Sequence, residues 1–158
     1  MVDYRDGELK VNLLLNRASR WADVHSYVPY QGRVDLKIKE ACERVRVRAP
    51  EWIETGSPTI SCNLNGASQP LHWEGRYLNL GGASPGAVIS VTFPIEERTV
   101  KEKIGPETYT LVIKGNTVVS IDPAGKNGPL YQGRGKYRTS EVAWRQVKRF
   151  VPDETIEW

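Results

Sequence analysis

The stretch RVDLKIKEACERVRVRAPEW, residues 33–52, decides the fold of this chain. Val34, Leu36 and Ile38 alternate with charged residues, and after a polar interruption Val45 and Val47 alternate with arginines. An alternation with a period of two places every apolar side chain on one face of a strand and every charge on the other. The stretch therefore predicts two strands, paired with each other, that cover one side of a core and require a second sheet on the other side.

Runs of the same kind recur along the chain and are separated by turns rich in glycine, proline and asparagine. Predicted strands or extended segments lie at residues 8–15, 24–30, 59–64, 70–73, 76–80, 88–93, 98–104, 108–113 and 116–121. Asn65 and Gly66 predict a type I′ hairpin turn. A loop is predicted at residues 122–136. Further strands are predicted at residues 147–151 and 156–158, and the alternative is a short helix over residues 141–151. Roughly ten short strands at this spacing predict an all-β fold, an antiparallel β-sandwich or jelly roll.

The length of 158 residues predicts a single β-sandwich domain over residues 1–158, or two small β-layers of which residues 33–94 form the central one. A chain of this length buries enough apolar surface to fold without a disulfide or a metal. Because the chain starts within strand-like sequence, we expect it to be a fragment of something longer.

The patterns of charge and of apolar residues argue against two classes of partner, nucleic acids and membranes. The 22 Lys and Arg residues are interleaved with 19 Asp and Glu residues, for a net charge of +3, whereas nucleic-acid-binding proteins concentrate basic residues on one face. The longest apolar run, residues 13–15, is too short to span a membrane, and the N-terminus lacks the apolar stretch of a signal peptide. We therefore expect no nucleic-acid partner and no membrane partner, and the sequence assigns no compartment.

The two cysteines, Cys42 and Cys62, are predicted to be reduced and buried rather than joined in a disulfide. Glu40 and Cys42 have a spacing seen among metal ligands. A zinc site takes about four ligands, and only Cys62 and two histidines on unrelated strands remain to complete it. The sequence therefore predicts no metal site and no cofactor.

A nucleophile–base pair is suggested by residue type at His25 and Ser26. Neighbours on one strand point to opposite faces, so these two side chains cannot meet. We expect no catalytic residue in this chain, and hence no enzyme activity of its own.

Aromatic residues are the remaining surface feature. Trp73 and Tyr77 flank a turn, and Trp21, Tyr27 and Tyr30 are grouped around the first loop. Exposed rings stack on sugars, so Trp73 and Tyr77 are candidate carbohydrate-binding residues on a shared platform. The alternative is that the rings close the ends of the sandwich or face another domain, with their polar tips in water.

The order of these signals resembles the C-terminal β-sandwich region of glycoside hydrolase family 127, the β-L-arabinofuranosidase type that was once a domain of unknown function. The segments that carry the resemblance are VNLLL (residues 11–15), SYVPYQGRV (26–34), VRVRAPEW (45–52), LNG (64–66), RYLNL (76–80), PGAVISVTFP (85–94), the hairpin at residues 109–121, PLYQ (129–132) and RFVP (149–152). They cover most of the chain, and it is their order and spacing that carry the resemblance.

The resemblance implies that catalysis belongs to an N-terminal helical barrel, with a cysteine nucleophile beside a thiolate-bound zinc, and that barrel does not occur in this sequence. It therefore implies a non-catalytic accessory domain whose partner is the catalytic barrel of the parent chain. We expect an apolar patch, over residues 13–21 and 24–30, that the barrel covers. The alternatives are a carbohydrate-binding module that takes an oligosaccharide through Trp73 and Tyr77, and a β-sandwich adhesion domain whose protein partner is another chain.

Overall fold

The computed structural model describes residues 1–125 and 128–142. The described part of the chain holds fourteen strands and one short 3₁₀ helix, Arg134–Arg138. The strands are β1 (Val2–Arg5), β2 (Glu8–Val11), β3 (Arg17–Ala18), β4 (Ala22–Ser26), β5 (Arg33–Ile38), β6 (Arg44–Arg48), β7 (Ser61–Leu64), β8 (Ala67–Gln69), β9 (His72–Glu74), β10 (Tyr77–Asn79), β11 (Val88–Thr92), β12 (Glu97–Ile104), β13 (Glu107–Lys114) and β14 (Thr117–Asp122).

The all-β class predicted from the sequence is confirmed. More strands are present than the predicted ten, because pieces of only two to four residues, such as β1, β3 and β8, also pair into the sheets. The strands predicted at residues 147–151 and 156–158, and all but the first two residues of the alternative helix, lie outside the described residues.

The described residues form two compact units, the first of residues 1–26 and 33–93 and the second of Tyr27–Gly32 and residues 94–142. The first unit contains a five-stranded sheet in the order β1-β2-β6-β10-β9 and a six-stranded sheet in the order β3-β4-β5-β11-β7-β8. Within them β2 and β6 run parallel, and the other described pairs are antiparallel.

The inner faces of these two sheets form the core of a β-sandwich. Leu36 of the six-stranded sheet and Val45 of the five-stranded sheet are fully buried, as the alternation predicted. A small cavity of about 10 Å³ is lined from both sheets, by Val47 and Leu78 on one side and Val91 on the other. A cavity of that size is at the lower limit for one water molecule, so this cavity has no room for a larger ligand.

The predicted pairing of the two strands in residues 33–52 is wrong. β5 pairs with β4 and β11 in the six-stranded sheet, whereas β6 pairs with β2 and β10 in the five-stranded sheet. The two strands therefore belong to the two sheets whose inner faces form the core. The alternation identified the buried face of each strand correctly but does not identify its neighbour.

The turn between β7 and β8 has the backbone conformation that its residue types predict. Asn65 and Gly66 have φ values of 51° and 84°, the positive values that a type I′ turn requires at both central positions. The turn joins β7 to β8, with Leu64 opposite Ala67.

The second unit contains a three-stranded antiparallel sheet in the order β12-β13-β14, with a bulge at Val112 and Ile113. Its predicted hairpin is confirmed, with the turn one residue later than expected, because Lys114 is the last residue of β13. Lys114 is only 7% exposed. Its ammonium donates to the carbonyl oxygens of Tyr30 at 3.4 Å and of Arg138 and Thr139 at 3.0 Å each. These bonds tie the hairpin to the 27–32 segment and to the end of the 3₁₀ helix.

Candidate functional site

Trp73 lies on the inner face of the five-stranded sheet. It is opposite Leu78, which is 2% exposed, and its half-buried ring lines the small interior cavity together with Phe93. This environment is that of an indole closing the end of the sandwich, the alternative that the sequence had left open.

Tyr77 lies on the outer face of the same sheet, because the two-residue turn makes Glu74, and not Trp73, its cross-strand partner. Its hydroxyl donates to Asn12 Oδ1 at 2.6 Å, and the Arg46 guanidinium lies 4.7 Å from its ring centroid. Trp73 and Tyr77 therefore do not form the shared platform that carbohydrate stacking required. Sugar binding by either ring stays a prediction.

The outer face around Tyr77 is a network of paired charges. Arg46 forms ion pairs of 3.1 Å with both Glu8 and Glu74. Asn79 donates to Glu74 at 2.7 Å, and Lys10 lies 3.5 Å from Glu8. The Arg46 guanidinium is thus paired with two carboxylates, although its buried Nε has no hydrogen-bond partner among the described residues.

The network predicts a sensitivity to acid. Partial burial raises the pKa of Glu8, but the hydrogen bond from Arg46 and the charge of Lys10 lower it by more, so its net pKa lies below the ordinary value. A carboxyl whose pKa is lower in the folded state stabilises the protein above its unfolded pKa, and this contribution is lost as the pH falls. We expect Glu8→Gln to lose less stability than the wild type between about pH 5 and pH 3 in denaturant titrations. Parallel curves for the two proteins would contradict this role.

The aromatic group predicted around the first loop is distributed over different partners. Trp21 stacks on Tyr4 with a centroid distance of 5.6 Å and an interplanar angle of 12°, and the Tyr4 hydroxyl donates to the Ala41 carbonyl. Tyr30 packs against Tyr137 at 5.8 Å in the second unit. The Trp21 ring thus has a structural partner within the sandwich that the sequence spacing did not reveal.

The structure assigns no metal role to the Glu40–Cys42 motif. The Cys42 thiol is buried and donates to the backbone carbonyl of Glu40 at 3.3 Å, not to its carboxylate. No cluster of three or more His, Cys, Asp or Glu side chains among residues 1–125 and 128–142 is arranged to hold a metal ion. On β4, Ser26 is buried while His25 lies on the opposite, half-exposed side, as the strand geometry predicted.

Both cysteines are free and buried, as predicted. Burial raises the pKa of Cys62 to about 11, and burial together with the Glu40 charge raises that of Cys42. At pH 8 roughly a thousandth of Cys62 is thiolate, and the thiolate is the reactive form. We expect iodoacetamide to label neither thiol of the native protein within an hour and both in guanidinium chloride, as counted by intact mass. Rapid native labelling would show that the sandwich opens readily.

The apolar surface expected from the sequence is present in one of its two predicted parts. Leu13 and Leu15 are 50% and 51% exposed, on either side of the buried Leu14. Met1, 39% exposed, is beside them because Asn12 N donates to its carbonyl at 2.7 Å. We call Met1, Leu13 and Leu15 the apolar edge. In the other predicted part Val24 is 1% exposed, because β4 turns its alternate residues into the core, whereas Tyr27 and Val28 are half-buried, so an apolar patch there stays a prediction.

No helix in the described part of the chain has the length and apolarity needed to cross a membrane.

Comparison with solved structures reveals the relationship of this fold. A GH127 β-L-arabinofuranosidase from Geobacillus stearothermophilus superposes on 74% of this chain with a TM-score of 0.53 and 17% identity. A second GH127 β-arabinofuranosidase superposes on 74% of it with a TM-score of 0.58 and 19% identity. The chain has the fold of part of a GH127 enzyme. The resemblance noted in the sequence is thereby confirmed at the level of the fold.

The match covers only a small part of each of the two GH127 enzymes. This chain covers 20% of the Geobacillus enzyme and 23% of the second one, so most of each glycoside hydrolase has no counterpart here. No protein-family model and no curated protein matches the sequence.

Proposed function

We propose that this chain is a non-catalytic accessory β-sandwich that packs against and stabilises the catalytic domain of a GH127-like glycoside hydrolase. The observation that supports the proposal is the partial match, in which 74% of this chain corresponds to about a fifth of a much longer hydrolase. Such a segment lies beside other parts of its chain, and inter-domain surfaces carry exposed apolar side chains.

The apolar edge is the surface that supports this packing. Leu13 and Leu15 each expose about half of their area, so their burial contributes on the order of 1 kcal/mol each. Inter-domain interfaces of about 600–1,500 Å² need such contacts at their centre and polar groups around them. Arg17 on β3 and Arg20 just after that strand are exposed and are suited to the polar rim.

The test uses the Geobacillus enzyme with the stretch matched by this chain removed. We expect this chain, added in trans, to bind the truncated enzyme in sedimentation velocity and to raise its melting temperature. Leu13→Ser/Leu15→Ser should weaken binding by about tenfold or more. Val88→Ser, which removes an apolar side chain that is 37% exposed elsewhere on the sandwich, is the matched control and should leave binding unchanged.

The enzyme's own removed stretch serves as the positive control for the truncated form. If that stretch rescues the truncated enzyme while this chain neither binds nor stabilises it, the accessory role is contradicted. Hydrolysis of arabinofuranosides by this chain alone would contradict the non-catalytic part of the proposal.

Carbohydrate binding through Trp73 and Tyr77 is the competing proposal, and the five tryptophans report on it directly. Because the two rings face opposite sides of the sheet, we expect arabinose-containing oligosaccharides to cause no saturable fluorescence quenching. Saturable quenching that Trp73→Ala abolishes would favour the binding-module function instead.

A further inference from the structure

A basic and aromatic surface occupies the loop after β14 in the second unit. The described residues 128–140 contain three Lys or Arg residues, two tyrosines and no acidic residue, although the whole chain is nearly balanced in charge. The cation–aromatic cluster, as we call it, consists of Tyr30, Tyr131, Arg134, Lys136 and Tyr137.

The rings and cations of this cluster are in mutual contact. The Arg134 guanidinium lies 4.6 Å from the ring centroid of Tyr131 and 5.9 Å from that of Tyr137. The Lys136 ammonium lies 5.3 Å from the Tyr137 ring, which packs on Tyr30. Tyr131 is 43% exposed, so part of its ring faces solvent.

Arg134 keeps most of its hydrogen-bonding capacity in this arrangement. Stacking uses the face of a guanidinium, whereas its five N–H donors lie in the plane. One of these donors bonds to the Val118 carbonyl at 3.3 Å. Within the described residues no carboxylate forms an ion pair with Arg134 or Lys136, whereas the neighbouring Arg138 pairs with Glu97 at 3.4 Å.

Tyr131 has an unusual backbone conformation for its size. Its φ is +57°, in the left-handed region that a bulky side chain adopts at a higher energy than glycine does. Tyr131 is 43% exposed, and its stacking contact with Arg134 offsets only part of this energy. Strained residues are concentrated at active and ligand-binding sites, and in the described part of the chain Tyr131 lies beside two cations that have no carboxylate partner.

We propose that the cation–aromatic cluster binds an acidic oligosaccharide, with a uronate carboxylate on Arg134 and Lys136 and a sugar ring stacked on the solvent face of Tyr131. The choice of a sugar rests on the proposed function, in which this chain accompanies a carbohydrate-active enzyme. A single-stranded nucleic acid is less suited, because the surface offers two unpaired cations and one exposed ring rather than an extended basic groove.

The test is a calorimetric titration of the chain with an oligogalacturonate of about ten sugars, with a neutral arabino-oligosaccharide of equal length as the comparison. We expect saturable binding of the acidic oligomer alone, weakened several-fold between 50 and 200 mM salt as screening increases (about 14 to 7 Å Debye length). Arg134→Gln should weaken it by about tenfold, because it removes hydrogen bonds to a charged group. Lys101→Ala, which removes an exposed cation on β12, should not change it.

Tyr131→Gly separates a binding role from a structural one. Glycine adopts φ of +57° without strain, so the variant should melt at the same temperature as the wild type or higher while it loses binding. A lower melting temperature with unchanged binding would overturn the proposal, since Tyr131 would then be purely structural.

Three further outcomes would also overturn it. If neither oligosaccharide binds, or if Lys101→Ala is as harmful as Arg134→Gln, the cluster is not the site. If an oligothymidylate of equal length binds more tightly than the oligogalacturonate, the ligand is a nucleic acid. None of these outcomes bears on the proposed docking to the truncated hydrolase. That docking is tested at the apolar edge of this chain, which belongs to the first unit, whereas the cluster belongs to the second.

Discussion

Replacing Leu36 with alanine is expected to lower the free energy of unfolding by about 3 kcal/mol. Leu36 is fully buried in the centre of β5, between β4 and β11, in the interior of the six-stranded sheet. Removing three carbon atoms there loses their transfer free energy and leaves a cavity that two paired sheets cannot close. Guanidinium titrations followed by tryptophan fluorescence measure the change.

The next residue is the control. Lys37 points outward from the same strand and is exposed, so Lys37→Ala should change stability by no more than about 0.5 kcal/mol. Similar losses at both positions would contradict the assignment of the inner face of β5, on which the sandwich depends.

Replacing Lys114 with methionine is expected to destabilise the second unit by about 2 kcal/mol. The change removes a buried ammonium and leaves the carbonyl oxygens of Tyr30, Arg138 and Thr139 without their donor. The segment held by these bonds contains Arg134, Lys136 and Arg138, which are trypsin sites. We therefore expect Lys114→Met to be cut in this segment several-fold faster than the wild type.

Lys101 of β12 provides the comparison for this prediction, because its exposed side chain carries the same charge on the same sheet. Lys101→Met should leave both the melting curve and the tryptic pattern unchanged. Equal cleavage of Lys114→Met and the wild type would mean that the ammonium does not hold the 3₁₀ helix.

The sequence predicted the class of fold and the buried face of most strands, because alternation depends only on local geometry. It could not predict which strands are neighbours. β5 and β6 are adjacent in sequence, yet they belong to opposite sheets, and long-range pairing determined that result. The hairpin at Asn65 and Gly66 was predictable because its turn type requires specific residues.

The candidate site was less predictable for a similar reason. Trp73 and Tyr77 would share a face if they were four residues apart on one strand, but the turn at Gly75 and Arg76 reverses the chain and places them on opposite faces. The role of Lys114 depends on carbonyl groups that are 24, 25 and 84 residues away, which no local pattern reveals. The resemblance to family 127 supplied what local patterns could not, the fold of a part of a larger hydrolase.

The most direct test of the accessory role is hydrogen–deuterium exchange of this chain with and without the truncated Geobacillus hydrolase. The account predicts slower exchange of residues 12–16, which contain Leu13 and Leu15, and unchanged exchange in the Glu97–Ile104 strand. Unchanged exchange at residues 12–16, together with protection elsewhere or none at all, would contradict docking through the apolar edge.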